Sequence, residues 1–175
     1  GAAAGILWIA VAFSGTLALA RAFERERQHD VLRGLLLAPI DRPAIFVGKL
    51  LGIVLLMGVV ELVVVPAIAL LFRAPLFAYP FLMASLLGTG TLGFAAVGTL
   101  FAAMLIRTQS RAVLLPILLY PMTVPVLIAG VGGTVALLQP EANLALAKFW
   151  LAMLVFLDVI YLTLALWTFE PVMTE

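Results

Sequence analysis

The chain has 175 residues, of which 65% are hydrophobic and 11% are charged, and its formal net charge is +1. Soluble domains carry about 25% charged residues, so this composition excludes an ordinary soluble domain and indicates a membrane protein. The absence of Cys from the sequence excludes disulfides, Cys-ligated zinc and iron–sulfur clusters. The small net charge does not indicate a nucleic-acid partner, and none is expected.

Five apolar segments, each about long enough to cross 30 Å of hydrocarbon as a helix, account for most of the chain. They are predicted at about residues 2–20, 50–72, 81–106, 112–129 and 149–169. This pattern predicts one all-α, polytopic membrane domain over residues 1–175. The chain opens with Gly1 rather than Met, and an additional N-terminal segment is expected to precede it.

Residues 21–49, between segments one and two, are rich in charge. Residues 24–30 read Glu-Arg-Glu-Arg-Gln-His-Asp and are too polar to enter the hydrocarbon core. Apolar residues then recur at helical spacing before Pro39, namely Val31, Leu32, Leu35 and Leu36. The pattern predicts a short amphipathic helix at the inner interface, with its charged face toward the cytoplasm. The alternative is a solvated run of charge flanked by apolar residues.

The distribution of Lys and Arg predicts the orientation. Eight of the ten lie in the loops that follow segments one and three, and the other two are Arg73 and Lys148. Cytoplasmic loops carry the excess of positive charge, so both charged loops are expected inside. Arg73 and Lys148 then belong to outer loops, and the C-terminus is expected in the cytoplasm.

Two carboxyl groups, Glu61 and Asp158, lie within apolar segments. A charge at the bilayer centre costs a few kcal/mol or more, so such residues usually face protein or water. One interpretation assigns them to a substrate path or a proton relay. The other assigns each to an interhelical hydrogen bond, and the sequence does not decide between the two.

Segment three contains Gly88-Thr89-Gly90-Thr91-Leu92-Gly93, which matches the G-x-G-x-x-G pattern. A dinucleotide site would need a preceding strand and an acidic residue about 20 positions later. The match lies instead inside an apolar segment, and the next acidic residue is Glu141. Small residues four apart predict close helix packing here, with Gly88, Gly93 and Gly98 as the contact positions.

Segment four contains Pro116, Pro121 and Pro125, followed by a glycine cluster at Gly130, Gly132 and Gly133. One prediction is a kinked helix packed among its neighbours, because proline removes a backbone donor and lipid cannot satisfy the freed carbonyl. The other prediction is a helix that ends near the glycine cluster. Residues 134–138 would then form a short re-entrant piece on the outer side.

Nucleotide and metal sites are not expected in this chain. Gly48-Lys49 hints at a P-loop, but Pro43 stands where the first Gly is required and Leu50 where Ser or Thr is required. His29 is the single histidine and lies in the charged loop, where a solvated or partner-facing side chain is expected. No set of residues suited to catalysis or to a metal is recognised.

The charged loop and its surroundings resemble the signature of ABC-2-type exporter permeases. The matching residues are Glu24-Arg25-Glu26, Leu35-Leu36-Leu37-Ala38-Pro39 and Gly48-Lys49-Leu50-Leu51-Gly52. More narrowly, residues 33–42 (RGLLLAPIDR) are similar to the haem exporter protein B (CcmB) family of bacterial cytochrome c maturation. Residues 5–8 and 107–125 are similar to it as well. One departure is Gln28-His29-Asp30, where the wider pattern often has Gly.

The resemblance implies a type V exporter-like permease of the bacterial inner membrane, with five of six transmembrane helices visible. The charged loop would be a coupling helix seated on a separate ABC ATPase similar to cytochrome c maturation protein A. The coupling residues would be Glu24, Arg25, Glu26, Arg27, His29, Asp30, Arg33, Leu35, Leu36 and Pro39. Further implied partners are a second copy of the chain, C-like and D-like haem-handling membrane subunits, and a periplasmic haem chaperone.

The implied role is export or release of haem, or of a haem–chaperone complex, for c-type cytochrome assembly. Because the apolar segments have almost no side chains suited to ligating haem, the haem is expected on a partner subunit. The chain itself is expected to bind no cofactor, and ATP is expected on the partner ATPase. Two alternatives stay open: a generic ABC-2 exporter for a lipid, polysaccharide or drug, and a structural anchor for an ATPase.

Overall fold

A computed structural model describes residues 2–29, 42–104 and 111–174, and the side chains of residues 2–19, 47–101, 117 and 119–167. In these ranges the chain forms the helices α1 (Ala2–His29), α2 (Arg42–Leu71), α3 (Pro80–Met104), α4 (Arg111–Leu138) and α5 (Leu144–Thr174). Each of the five contains a stretch long and apolar enough to cross a membrane. The predicted all-α fold with five membrane-length helices is therefore confirmed.

Helix α3 lies at the centre of the bundle and packs against each of the other four helices. In its membrane-length part 56% of the residues are buried, against 22% in α2 and 17% in α5. Residues 90–99 of α3 are buried apart from the half-buried Leu92, and most of them are Gly, Ala or Thr. Small residues let neighbouring backbones approach closely, which is how helices associate in lipid.

Helix α1 continues beyond the predicted end of segment one near residue 20 and runs without a break to His29. Glu24, Arg25, Glu26, Arg27 and His29 therefore extend the membrane helix itself rather than a separate interfacial helix. Glu, Arg and Gln are good helix formers, and neither Gly nor Pro interrupts residues 20–29. The amphipathic helix predicted over residues 31–36, and its stop at Pro39, lie outside the described residues.

Helix α4 is continuous from Arg111 to Leu138, so the prediction that it ends near Gly130 is wrong. Residues 134–138 are its last turn and not a re-entrant piece. Neighbouring aromatic rings explain why the glycine cluster does not break the helix. Trp8 lies over Gly130, and Trp150 lies over Gly132. The glycines thus accommodate side chains from other helices, which compensates for their low helix propensity.

The two described connections between helices are short and tightly bonded. Between α2 and α3, Arg73 adopts the left-handed conformation with φ at 51°, and the next amide, that of Ala74, donates to the carbonyl of Ala69. Between α4 and α5, the Asn143 side chain accepts a hydrogen bond of 3.0 Å from the amide of Leu146. This is an N-cap, and it sets the start of α5.

Candidate functional site

About one turn of α3, residues 90–93, receives side chains from the other four helices. The contacts are Trp8 of α1 with Gly90, Glu61 of α2 with Thr91, and both Val126 of α4 and Asp158 of α5 with Gly93. These seven residues are here called the α3 hub. A displacement of any one of these helices at this level would push on or pull α3. The hub is therefore the candidate site for coupled motion.

Trp8 joins three helices. Its side chain is 1% exposed, and its ring lies over Gly90 of α3 and Gly130 of α4. A β-carbon at residue 130 would lie 2.6 Å from Trp8 Cε2, so a larger residue does not fit there without movement. The indole Nε1–H donates to Thr134 Oγ1 at 2.9 Å, and that hydroxyl donates to the Gly130 carbonyl at 2.8 Å. The Thr134 hydroxyl group therefore accepts one hydrogen bond and donates another.

Glu61 makes the interhelical hydrogen bond that one of the two interpretations predicted. Thr91 Oγ1 donates to Glu61 Oε1 at 2.5 Å and thereby joins α3 to α2. Thr91 is buried, while Glu61 is half-buried. The carboxyl group is thus anchored at one oxygen by α3.

Asp158 is the unusual member of the hub. It is 5% exposed, and neither carboxyl oxygen has a hydrogen-bond partner among the described residues. The predicted interhelical hydrogen bond is therefore not found at this position. Its Oδ1 would lie 2.5 Å from a β-carbon placed at residue 93. A buried polar group without a partner costs free energy, and such groups in membrane proteins commonly mark function.

The three glycines predicted to mediate packing differ in their surroundings. Gly93 lies against Asp158, and Gly98 lies against Leu19 of α1. Gly88 is exposed, and a β-carbon there would meet no atom within 4 Å, so the predicted contact is not seen within the chain. Gly90 was not among the predicted contacts because the residues four positions before and after it, Leu86 and Phe94, are not small.

Some polar side chains in the bundle were not singled out from the sequence. Thr134 bonds Trp8, and Tyr161 of α5 donates to the backbone carbonyl of Met122 at 2.7 Å. Met122 follows Pro121, whose carbonyl is the one that Pro125, four residues later, leaves without a helical donor. Tyr161 thus adds a hydrogen bond between α5 and α4 next to the carbonyl that the proline leaves without a donor. A lone tyrosine or threonine in an apolar segment gave no signal of its own.

The predicted coupling residues fall into two groups. Glu24, Arg25, Glu26, Arg27 and His29 lie on the last part of α1, here called the charged end (residues 21–29), with side chains outside the described set. Asp30, Arg33, Leu35, Leu36 and Pro39 lie outside the described residues altogether. Because α1 is unbroken, Trp8 and His29 belong to one helix, about 30 Å apart along its axis.

Within the described residues, no cluster of three or more His, Asp or Glu side chains could hold a metal ion. The two membrane carboxyl groups contact α3 at different residues, Glu61 at Thr91 and Asp158 at Gly93. The two carboxyl groups thus approach α3 from α2 and from α5, at residues two positions apart.

Comparison with known proteins decides the family. A family model described as CcmB protein matches residues 1–173. The chain belongs to the CcmB family. The resemblance carried by residues 33–42 and their surroundings is thereby confirmed. A CcmB-family chain with five membrane-length helices is a multi-pass protein of the bacterial inner membrane.

Two relatives illustrate the similarity, and both are named Heme exporter protein B. The one from Paracoccus denitrificans (strain Pd 1222) is 34% identical over 128 residues, or 73% of this chain and 58% of the relative. The one from Pseudomonas aeruginosa (strain PAO1) is 29% identical over 135 residues, or 77% of this chain and 60% of the relative. The chain thus spans less than two thirds of the length of these CcmB relatives.

Proposed function

We propose that this CcmB-family chain belongs to the permease subunit of an ABC transporter that exports or releases haem to the periplasm. A separate ATPase subunit supplies the energy, and the product serves c-type cytochrome assembly. The observation that carries this proposal is the CcmB match over residues 1–173, supported by two relatives named Heme exporter protein B. The fold adds an unbroken helix from the charged end to the α3 hub.

In the proposed mechanism, the ATPase moves the charged end of α1. An α-helix transmits axial displacement and rotation because each residue adds a backbone hydrogen bond to the next turn. Leu19 lies against Gly98 and Trp8 lies against Gly90, so α1 contacts α3 at more than one level. Motion of α1 therefore displaces α3 relative to α5, where Gly93 and Asp158 meet.

Haem is the substrate in this proposal, and a partner subunit holds its iron. The described residues have no Cys, and their single His lies at the charged end rather than in the bundle. The proposed partners are the ABC ATPase, a second copy of this chain, C-like and D-like membrane subunits and a periplasmic haem chaperone. The exposed apolar faces of α2 and α5 offer surface for lipid and for such subunits.

The test begins with the complex purified from bacterial membranes through a tag on the full-length protein. An ATPase subunit is expected to co-purify, and ATP is expected to drive haem to the periplasmic chaperone, followed by its absorbance. A matched control is the same complex with the ATP-binding lysine of the ATPase replaced. Absence of an ATPase from the complex contradicts the proposal. Stoichiometric, axially bound haem on the isolated permease contradicts the assignment of haem to a partner.

Variants of the chain test where the ATPase binds. Glu24→Ala with Arg25→Ala is expected to release the ATPase from the complex, because both lie on the charged end. The matched control is Arg73→Ala in the connection between α2 and α3, at the opposite end of the bundle, which is expected to retain the ATPase. If both variants retain the ATPase equally, the ATPase binds elsewhere.

A further inference from the structure

We propose that Trp8 is the positioning residue through which α1 moves α3 and α4 together. This inference rests on the proposed function and adds to it a specific residue, outside the charged end, that converts motion of the coupling helix into motion of the bundle. The hydrogen bond from Trp8 to Thr134 and the two glycines that flank the indole ring carry it.

The indole occupies a slot that two other helices provide. On one side is Gly90 of α3, and on the other is Gly130 of α4. At each position the absence of a side chain leaves room for the six-membered ring. Movement of α1 across this slot would drive the rigid ring into a backbone, so α3 and α4 must follow α1.

The polar bond adds direction to this steric link. Trp8 Nε1–H donates to Thr134 Oγ1 at 2.9 Å, and both groups are buried. In an apolar interior, a broken bond would leave the indole N–H without a replacement acceptor, from the protein or from water, which is unfavourable. The bond is therefore retained as α1 moves, and α4 is drawn along with it.

Further contacts along α1 fix its position against α3. Phe94 of α3 lies against Gly15, and Leu19 of α1 lies against Gly98. Together with the Trp8 slot, these contacts hold α1 and α3 in register at three successive levels. Because each helix places a side chain against a glycine of the other, these contacts oppose sliding of one helix along the other.

A second polar contact between α1 and α4 provides an internal comparison. Thr16 Oγ1 and Tyr120 Oη are 3.2 Å apart and only partly buried. This contact is less enclosed than the bond from Trp8 to Thr134 and holds no ring between two glycines, so it is expected to transmit less force. Tyr120→Phe is therefore the matched control for loss of a polar contact between the same two helices.

The first experiment measures coupling in the full-length complex. Trp8→Phe removes the N–H and shortens the side chain, so that it no longer fills the slot between the two glycines. Thr134→Val removes the acceptor, and Thr134→Ser keeps it. The first two are expected to keep ATP hydrolysis while the ATP consumed per haem transferred rises about fivefold or more. Thr134→Ser and Tyr120→Phe are expected to stay within about twofold of the wild type.

The second experiment measures the motion itself and does not require haem. The 175 residues contain no Cys, so in a complex whose other cysteines are replaced, spin labels can be placed at Ile9→Cys on α1 and Ile128→Cys on α4, both exposed. A third label position, Phe156→Cys on α5, pairs with Ile128→Cys to report displacement of α4. ATP is expected to leave the α1–α4 distance unchanged and to shift the α4–α5 distance. Trp8→Phe is expected to abolish that shift.

The outcomes separate this inference from the proposed function. Wild-type coupling ratios and distances in Trp8→Phe overturn the inference and leave the proposed function standing. Equal loss of complex assembly in Trp8→Phe, Thr134→Ser and Tyr120→Phe shows a purely structural bond and also overturns it. A wild-type complex in which ATP changes none of the distances overturns the proposed function together with the inference.

Discussion

Gly93 on α3 and Asp158 on α5 meet so closely that a β-carbon at residue 93 would lie 2.5 Å from Asp158 Oδ1. The glycine makes room for the carboxyl group, yet neither carboxyl oxygen is hydrogen-bonded within the described structure. The approach of α3 to α5 therefore depends on a small residue facing a polar one. Both sides of this contact can be tested.

Gly93→Ala is expected to lower the free energy of unfolding by about 1–3 kcal/mol, because the new methyl group forces α3 and α5 apart. Thermal unfolding of the purified protein in detergent measures the loss. Gly88→Ala is the control on the same helix, because a β-carbon there meets nothing within 4 Å. Adding Asp158→Ala to Gly93→Ala is expected to restore part of the stability. Equal melting of both glycine variants would contradict the close contact.

Asp158→Asn is expected to leave the free energy of unfolding within about 1 kcal/mol of the wild type, because the aspartate has no hydrogen bond to lose. If the carboxyl group is retained for function, cytochrome c maturation in cells nevertheless falls about tenfold or more. Glu61→Gln is the matched variant, since its amide oxygen can still accept from Thr91. Full activity in both variants would end the functional interpretation of the two carboxyl groups.

Thr91→Val is expected to cost about 1 kcal/mol of stability, a typical magnitude for interhelical hydrogen bonds in membranes. The reason is that Glu61 loses the donor that joins α2 to α3. Thr91→Ser keeps the hydroxyl and should retain most of the stability. Thr89→Val serves as the comparison, because its hydroxyl bonds only to carbonyls of its own helix. If Thr89→Val unfolds at a lower temperature than Thr91→Val, the stabilising role of the bond from Thr91 to Glu61 is refuted.

Tyr161→Phe is expected to lower stability by about 1 kcal/mol, because the Met122 carbonyl near Pro125 loses its donor from α5. The loss should appear as an earlier thermal transition. Tyr79→Phe, in the exposed connection between α2 and α3, is the control and should melt like the wild type. A Tyr161→Phe variant as stable as that control would mean that this bond between α5 and α4 does not stabilise the bundle.

Single cysteines test the predicted orientation, since the sequence has none of its own. Arg25→Cys, on the charged end, should react with a membrane-impermeant maleimide only after the inner membrane is opened. Arg73→Cys and Lys148→Cys should react in intact spheroplasts. The excess of Lys and Arg in the loops after segments one and three is the reason for this expectation. Labelling of Arg25→Cys from the periplasmic side would contradict the orientation. It would also contradict the proposed contact between the charged end and the ATPase.

The number and class of the membrane helices followed from the sequence, because insertion into lipid depends on hydropathy summed over about 20 residues. All five described helices were predicted in this way. Helix ends were less predictable. The end of α1 near residue 20 was inferred from where charge begins, yet backbone hydrogen bonding continues to His29. Charge marks where a helix leaves the membrane, not where it stops.

The contacts between helices, in the α3 hub and beside it, were decided only by the tertiary structure. Trp8 and Thr134 are 126 residues apart in the chain, and no local pattern relates them. Small-residue spacing pointed to Gly93 and Gly98 but also to Gly88, and it missed Gly90. The physical reason is that composition determines whether a helix enters lipid, whereas the face it presents to each neighbour depends on how all five helices pack at once.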